Sequence, residues 1–238
     1  MRLDIHNSTI PVLCQACEAR HRGICGALDP AQLQQLGRQT GRREVPPGTE
    51  LIAAGVPAEG YANILSGVVK LTKLMPDGRQ QIVGLQFAPD FLGRPFAESS
   101  DVGAEAASTV RICTFPRTAL EQMVRQAPAL EHRLHQQALR ELDDARDWMM
   151  ILGQKSASEK VASFLLLLAS HVDPLVQGYS QAFDIPMKRA DIADFLGLTI
   201  ETVSRHLTHL RKADIIAIEK NRRITIRDGT ALEAAAGL

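Results

Sequence analysis

The chain has 238 residues, 45% of them hydrophobic and 23% charged, and a formal net charge of zero. That balance excludes a disordered or fibrous chain and suits one large globular domain or two moderate ones. It gives no overall basic character, so any reader of nucleic acid must be a local feature.

Residues 1–27 hold three of the four cysteines, Cys14, Cys17 and Cys25, with little apolar periodicity. Such a segment needs an organiser, for example a metal centre. Cys14 and Cys17 are spaced to bring two sulfurs to one centre, and the loop to Cys25 can return a third. Thiolates are soft ligands that suit zinc, copper(I) or an iron–sulfur cluster. On spacing alone, structural zinc, a disulfide framework and a cluster completed by the distant Cys113 all stay open. Met1–Pro11 mixes Arg2, Asp4, His6 and Asn7 among short apolar residues, so no secretory leader is predicted. The most apolar run, Phe164–Ala169, is too short to span a bilayer. The expectation is a cytoplasmic protein with no membrane partner, where clustered cysteines bind metal or act in redox chemistry more readily than they pair.

Asp29 and Pro30 open a short helix with Leu33 and Leu36 on one face. From Arg42 to Phe115 the pattern becomes β, with glycines and prolines punctuating short strands. Val83, Leu85 and Phe87 alternate with Gly84 and Gln86. Val68–Leu74 is a second strand, joined to the first by a turn at Pro76-Asp77-Gly78. Strands at this spacing predict an antiparallel barrel or roll. In Val110–Phe115, alternation puts Cys113 opposite Val110 and Ile112, free to meet the N-terminal segment.

A long helix is expected over Arg117–Leu152, interrupted near Pro128. Leu134, Ala138, Leu142, Ala145, Met149 and Leu152 recur at spacings of three and four, a coiled-coil-like seam that suits a marginal dimer. Lys155–His171 reads as a further helix started by Ser156 or Ser158, and 173–184 as a polar loop with Pro174 and Gly178. The expected domains are a cysteine segment at 1–27, a β-roll at 28–116, a dimerisation helix at 117–154 and a DNA-binding domain at 155–238.

Lys188–Leu196 predicts a helix burying Ile192, Ala193 and Leu196. Gly197 makes a tight turn, and Thr199 caps a second helix with Glu201 in its first turn. That is a helix-turn-helix. Val203, Leu207 and Leu210 form the core stripe of the second helix, with Glu201, Ser204, Arg205, Thr208 and Lys212 opposite. Arg205 can bond bidentately to guanine, Glu201 can accept from cytosine N4, and Ser204 can contact a base or phosphate. Ile215–Glu219 and Arg223–Arg227 flank Lys220-Asn221-Arg222 as a hairpin with a basic tip, a wing for phosphates. Between 184 and 227, nine bases stand against six acids, so the neutral average hides a basic reader. His132, His135, His171, His206 and His209 fall on helices beside no triad, and no enzyme is expected.

The order of cysteine segment, β-roll, long helix and winged helix-turn-helix resembles the cyclic-AMP receptor/FNR superfamily of bacterial transcription regulators over essentially the whole length. The resemblance implies an α+β fold with a cyclic-nucleotide-binding-like antiparallel roll. The stretch Gly197-Leu-Thr-Ile-Glu-Thr-Val-Ser-Arg205 is similar to the superfamily's recognition helix. Its Glu201, Ser204 and Arg205 match the FNR branch, implying an inverted repeat of the type TTGAT-N4-ATCAA, with Arg189, Thr199, Thr202 and Thr208 as neighbouring DNA contacts. Cyclic-nucleotide binders carry a Gly-Glu start and an Arg-Ser pair in the last part of the roll. Here Leu92-Gly93-Arg94-Pro95 and Glu105-Ala106-Ala107-Ser108 occupy that region with no Arg-Ser pair, and a carboxylate near the phosphate site would be repulsive, so no cyclic nucleotide is expected. The Cys-x2-Cys-x7-Cys spacing with Cys113 is instead similar to oxygen-sensing FNR proteins of the FnrL type. By resemblance, Cys14, Cys17, Cys25 and Cys113 hold a [4Fe-4S] cluster that favours a homodimer and is lost to oxygen. Resemblance also implies RNA polymerase as a partner through exposed loops such as Met75–Gln81. The alternative is a zinc- or thiol-redox-controlled regulator with the same DNA target.

Overall fold

The computed structural model describes residues 10–15, 17–173, 178–220 and 222–238. Residues 1–9, Ala16, 174–177 and Asn221 lie outside them, and with them most of the leader reading, Pro174 of the polar loop and the centre of the wing tip. The chain divides into two compact units, one of residues 1–73 and 85–142, the other of 74–84 and 143–238.

In the first unit, α1 (Val12–Gln15), α2 (Glu18–Arg22) and a 3-10 turn (Ile24–Ala27) precede α3 (Pro30–Gly37). Asp29 starts α3 with a reciprocal cap: its carboxylate accepts from Gln32 N at 2.8 Å, and Gln32 Oε1 accepts from Asp29 N at 3.0 Å. Ile24, Leu28, Leu33 and Leu36 are buried. Ile24 lies in the expected cysteine segment and Leu28, Leu33 and Leu36 follow it, so apolar burial anchors the chain from the end of that segment onward.

The roll runs β1 (Gly41–Val45), β2 (Glu50–Ile52), β3 (Gly60–Ser66), β4 (Val68–Leu74), β5 (Gln80–Phe87), β6 (Phe91–Leu92), β7 (Gly103–Ala106) and β8 (Val110–Pro116). The strands form two sheets, ordered β1-β8-β3-β6 and β2-β7-β4-β5. Gly67 joins β3 to β4 at φ +89°, and a Cβ there would collide with the carbonyl of Thr109. Strand β8 contributes to a core on each of its faces. Val110 and Ile112 belong to the inner core with Val45, Ala62, Ile64, Val69, Leu92, Ala104 and Ala106. Phe115, with Cys113 packed alongside, belongs to an outer core with Ile24, Leu28, Tyr61, Phe91, Leu120 and Leu130.

The expected long helix is two helices, α4 (Arg117–Gln126) and α5 (Pro128–Gln154). The break falls where Pro128 has no N–H to give and suits a helix start better than a helix interior. Leu120, Met123 and Val124 of α4 and Leu130 of α5 close the outer core. Among the described residues, no helix is long and apolar enough to cross a membrane.

In the second unit, α6 (Ala157–His171) is started by Ser156, whose hydroxyl accepts from Glu159 N while Glu159 accepts from Ser156 N. There follow β9 (Ala182–Asp184), α7 (Arg189–Leu196), α8 (Ile200–Lys212), β10 (Ile216–Glu219), β11 (Arg223–Ile226) and α9 (Gly229–Ala235). The wing is a three-stranded sheet, β10-β11-β9. Its third strand lies in the stretch expected to be loop. One buried apolar side chain, Phe183, between exposed Ala182 and Asp184 is too short an alternation to announce itself. Phe195 of α7 centres the core, 4.4 Å from the Trp148 ring and 6.0 Å from Phe164.

Gly197 ends α7 in the left-handed region, at φ 62°, ψ 40°. Any side chain there is strained by about 1–2 kcal/mol. Gly197→Ala is expected to lower the unfolding free energy measured by urea titration by that amount without abolishing folding, and an unchanged free energy would contradict the turn's role.

Candidate functional site

Helix α8 presents one face to the core and one to solvent. Val203, Leu207 and Leu210 are buried, while Glu201, Ser204 and Arg205 are exposed. Thr199 Oγ1 accepts from Thr202 N at 3.2 Å and fixes where the helix begins. Thr199 and the backbone N–H of Glu201 itself hold the Glu201 carboxyl below the usual carboxylate range. Glu201 is thus an acceptor only, the state that a cytosine amino group requires. Ser204, Arg205, Thr208, His209 and Lys212 line one groove along the helix. His209 was not singled out from sequence, although its place four residues after Arg205 puts it on the same face. Burial and the charges of Arg205 and His209 lower the pKa of the intervening His206, favouring the neutral ring. Arg189 opens α7, partly buried.

The four cysteines are all free thiols, each partly buried. Cys14 lies in α1, Cys17 precedes α2, Cys25 lies in the 3-10 turn and Cys113 in β8. Burial raises the Cys25 thiol far up, the charges of Cys113, Cys17 and Cys14 add to this, and a hydrogen bond from Asn63 opposes them. Burial, Cys17 and Cys14 push Cys113 up to about 11, against Arg42 and Thr40. Cys14 is raised by burial and Cys17, against Arg42 and Arg20. The four sulfurs therefore share one electrostatic neighbourhood. Among the described residues, however, no group of three or more His, Cys, Asp or Glu side chains forms a ligand set for a metal ion. Cys14, Cys17, Cys25 and Cys113 are not closed into a shell.

The donor chemistry fits a positively charged, sulfur-loving centre. Partly buried thiols that repel one another as thiolates resist deprotonation, and a bound cationic centre reverses that balance. Neighbouring groups support the arrangement. Arg42, Cys113 and Asn63 stand side by side across β1, β8 and β3. The Arg42 guanidinium donates to the Leu13 carbonyl, next to Cys14. Asn63 Nδ2 donates to Cys25 Sγ at 3.2 Å. Arg133 of α5 donates through Nε to Gly23 O and through Nη2 to Arg22 O, each at 3.3 Å, and so grips the chain just before Cys25. Sequence reading did not reach Asn63, Arg42 or Arg133, because strand register and helix docking bring them to the cysteines.

The roll interior corrects one expectation. Glu105 does not line the cavity of the roll. Ala104 and Ala106 point into the inner core, and Glu105 points the other way, its Oε1 2.9 Å from Lys70 Nζ. The cavity itself is ≈ 70 Å³, lined by Leu71, Gln86, Leu92, Arg94, Ser100 and Ala104 among others.

Residues 159–235 match the Crp-like helix-turn-helix domain, and residues 42–127 match the cyclic nucleotide-binding domain. A probable transcriptional activator of Rhizobium leguminosarum bv. viciae is 53% identical over 232 residues, covering 98% of this chain and 96% of that one. The chain belongs to the Crp/Fnr family of transcription regulators. The Crp/Fnr transcriptional activator protein FnrL of Cereibacter sphaeroides is 37% identical, covering 96% of this chain and 94% of its own. The solved structure of FixK2 from Bradyrhizobium japonicum superposes with a TM-score of 0.74 at 31% identity, over 82% of this chain and 96% of that one.

In this Crp/Fnr chain the expected seam is split. Leu134 packs against the outer core of its own unit, so it is not a free seam residue. Ala138, Leu142, Ala145 and Met149 are exposed, and Leu152 is half-buried. Leu139 and Met150 are also exposed, 61% and 51%, beside the seam. Glu141, beside the seam, accepts from Gln86 Nε2 at 3.1 Å and from Gln137 Nε2 at 3.3 Å.

Proposed function

We propose that this chain is a cytoplasmic, oxygen-responsive transcription activator in which Cys14, Cys17, Cys25 and Cys113 hold a [4Fe-4S] cluster. The observation that carries the reading is geometric: Asn63 donates to Cys25 Sγ at 3.2 Å and stands opposite Cys113 in the β3–β8 register, which brings an N-terminal thiol beside the thiol of the roll. Likeness to FnrL, and to the fumarate and nitrate reduction regulatory protein of Salmonella typhimurium at 30% identity, supports it. When bound, the cluster supplies an oxygen-labile tie between the N-terminal thiolates and Cys113. The protein's own residues do the rest. Arg133 joins the cysteine loop to α5, so the loop's position biases the helix that carries the seam. Ala138, Leu142, Ala145, Met149 and Leu152 pair with a second copy. The dimer sets two α8 helices about 34 Å apart for an inverted repeat of the type TTGAT-N4-ATCAA. Arg189, Thr199, Thr202 and Thr208 assist Glu201, Ser204 and Arg205 there. Leu74 and Met75 of the β4–β5 hairpin, exposed 63% and 43%, suit contact with RNA polymerase. The lack of an Arg-Ser pair in the last part of the roll argues against a cyclic nucleotide as the signal.

The test is anaerobic reconstitution with iron and sulfide, followed by visible absorption, metal analysis and DNA mobility shift before and after air. Iron and sulfide near four each per chain with air-sensitive binding is expected. A colourless protein with stoichiometric zinc sinks the reading. For the seam, Leu142→Glu places like charges across the pair and is expected to leave a monomer by sedimentation even when anaerobic; an intact dimer would move the interface elsewhere.

A further inference from the structure

Asn63 is 1% exposed. It lies on the face of β3 that carries Tyr61, whereas Ala62 and Ile64 point into the inner core. Its Oδ1 is buried without a hydrogen-bond partner. A buried carbonyl left unpaired is costly, and leucine, of similar size, would fill the place without that penalty. The other end of the amide explains the arrangement, since Nδ2 donates to Cys25 Sγ at 3.2 Å. Asn63 is also the cross-strand partner of Cys113. One side chain thus adjoins a thiol from the N-terminal segment and the thiol of the roll.

We propose that Asn63 is a positioning residue of the iron–sulfur centre, a step that rests on the [4Fe-4S] reading above. Its N–H holds the Cys25 sulfur beside Cys113 and draws charge from it. Hydrogen bonds to ligating sulfurs favour the reduced, more negative form of a cluster and raise its potential. A centre without this bond gives up electrons more easily and is lost to air sooner. The unpartnered Oδ1 follows from the same orientation, because the amide cannot turn to pair its oxygen without turning its donor away from sulfur.

The experiment compares full-length wild type with Asn63→Leu and Asn63→Asp, each reconstituted anaerobically with iron and sulfide. Three quantities are read: the midpoint potential, the rate at which visible absorption decays in air, and the thermal midpoint of the metal-free protein. Asn63→Leu is expected to be at least as heat-stable as wild type when metal-free. Loaded, it should show a more negative potential and decay about tenfold faster, the change one hydrogen bond to a charged acceptor is worth. Asn63→Asp keeps the shape, lacks the N–H and adds negative charge, so it should load less completely and decay faster still. If it does not fold, Asn63→Leu carries the result. Unchanged potential and decay in Asn63→Leu overturn the positioning role while leaving the cluster intact as a reading. A metal-free Asn63→Leu that melts earlier, with an unchanged potential, makes the amide structural and overturns it too. Wild type that takes up no iron overturns the cluster reading and this inference together.

Discussion

Replacing Cys25 with alanine is expected to abolish anaerobic, site-specific DNA binding while leaving the roll and the helix-turn-helix folded. Cys25 sits at the centre of the thiol neighbourhood, feeling the charges of Cys14, Cys17 and Cys113 and taking the Asn63 hydrogen bond. It is also the cysteine nearest in sequence to the Gly23 carbonyl that Arg133 holds. Its loss removes a ligand and unties the loop from the centre. Folding survives because Ile24 and Leu28 on either side stay buried in the outer core. The size of the effect comes from avidity. A dimer engages its second half-site at high effective concentration, and losing that link costs about 10²–10⁴ in affinity for the full inverted repeat. Affinity for an isolated half-site should hardly move. The measurement is an anaerobic mobility shift on both DNAs; tight binding of the Cys25→Ala protein to the full repeat would contradict the proposed switch.

Arg205→Ala produces a loss of a different kind. The exposed guanidinium lies in the groove along α8 with Ser204 and Thr208, in the N-terminal half of the helix, where base edges are met. A bidentate pair with guanine contributes about 1–3 kcal/mol of discrimination, and a symmetric dimer makes it twice. The expected loss on the cognate repeat is therefore about 2–6 kcal/mol, with specificity relaxed at one base pair of each half-site. Non-specific binding, dominated by phosphates, should change little. Lys220→Ala in the wing should instead weaken all sequences alike and reduce the salt slope by about one. If Arg205→Ala weakened every sequence equally, Arg205 would be a phosphate contact and the reading of α8 would need another guanine partner.

The parts legible in sequence were those whose chemistry is local. Thr199, Glu201 and Gly197 announce the helix-turn-helix because a cap, a first-turn acid and a left-handed turn each act within a few residues. The alternation Val110–Phe115 reports correctly that Cys113 faces away from the inner core. What escaped depends on partners far along the chain. The Asn63–Cys25 bond spans 38 residues and the Arg133–Gly23 bond spans 110, and nothing in either neighbourhood foretells them. Glu105 was misplaced for the same reason: only the register opposite Lys70 shows which face it takes. Leu134 fits the seam by spacing, but the core of its own unit claims it first.

Strand β8, with a core on each side, makes the thiol at position 113 intolerant of a change in chain length. Inserting or deleting a single residue between Gly67's neighbour Thr109 and Cys113 would turn the sulfur into the inner core and bring an aliphatic side chain out beneath the N-terminal segment. Substitutions along the strand can be absorbed one at a time, whereas a one-residue frame change in its pairing cannot. Variation in length is therefore confined to the turn at 107–109 before β8, because α4 begins directly at Arg117, and an engineered chain can be extended in that turn while the sulfur keeps its side of the sheet.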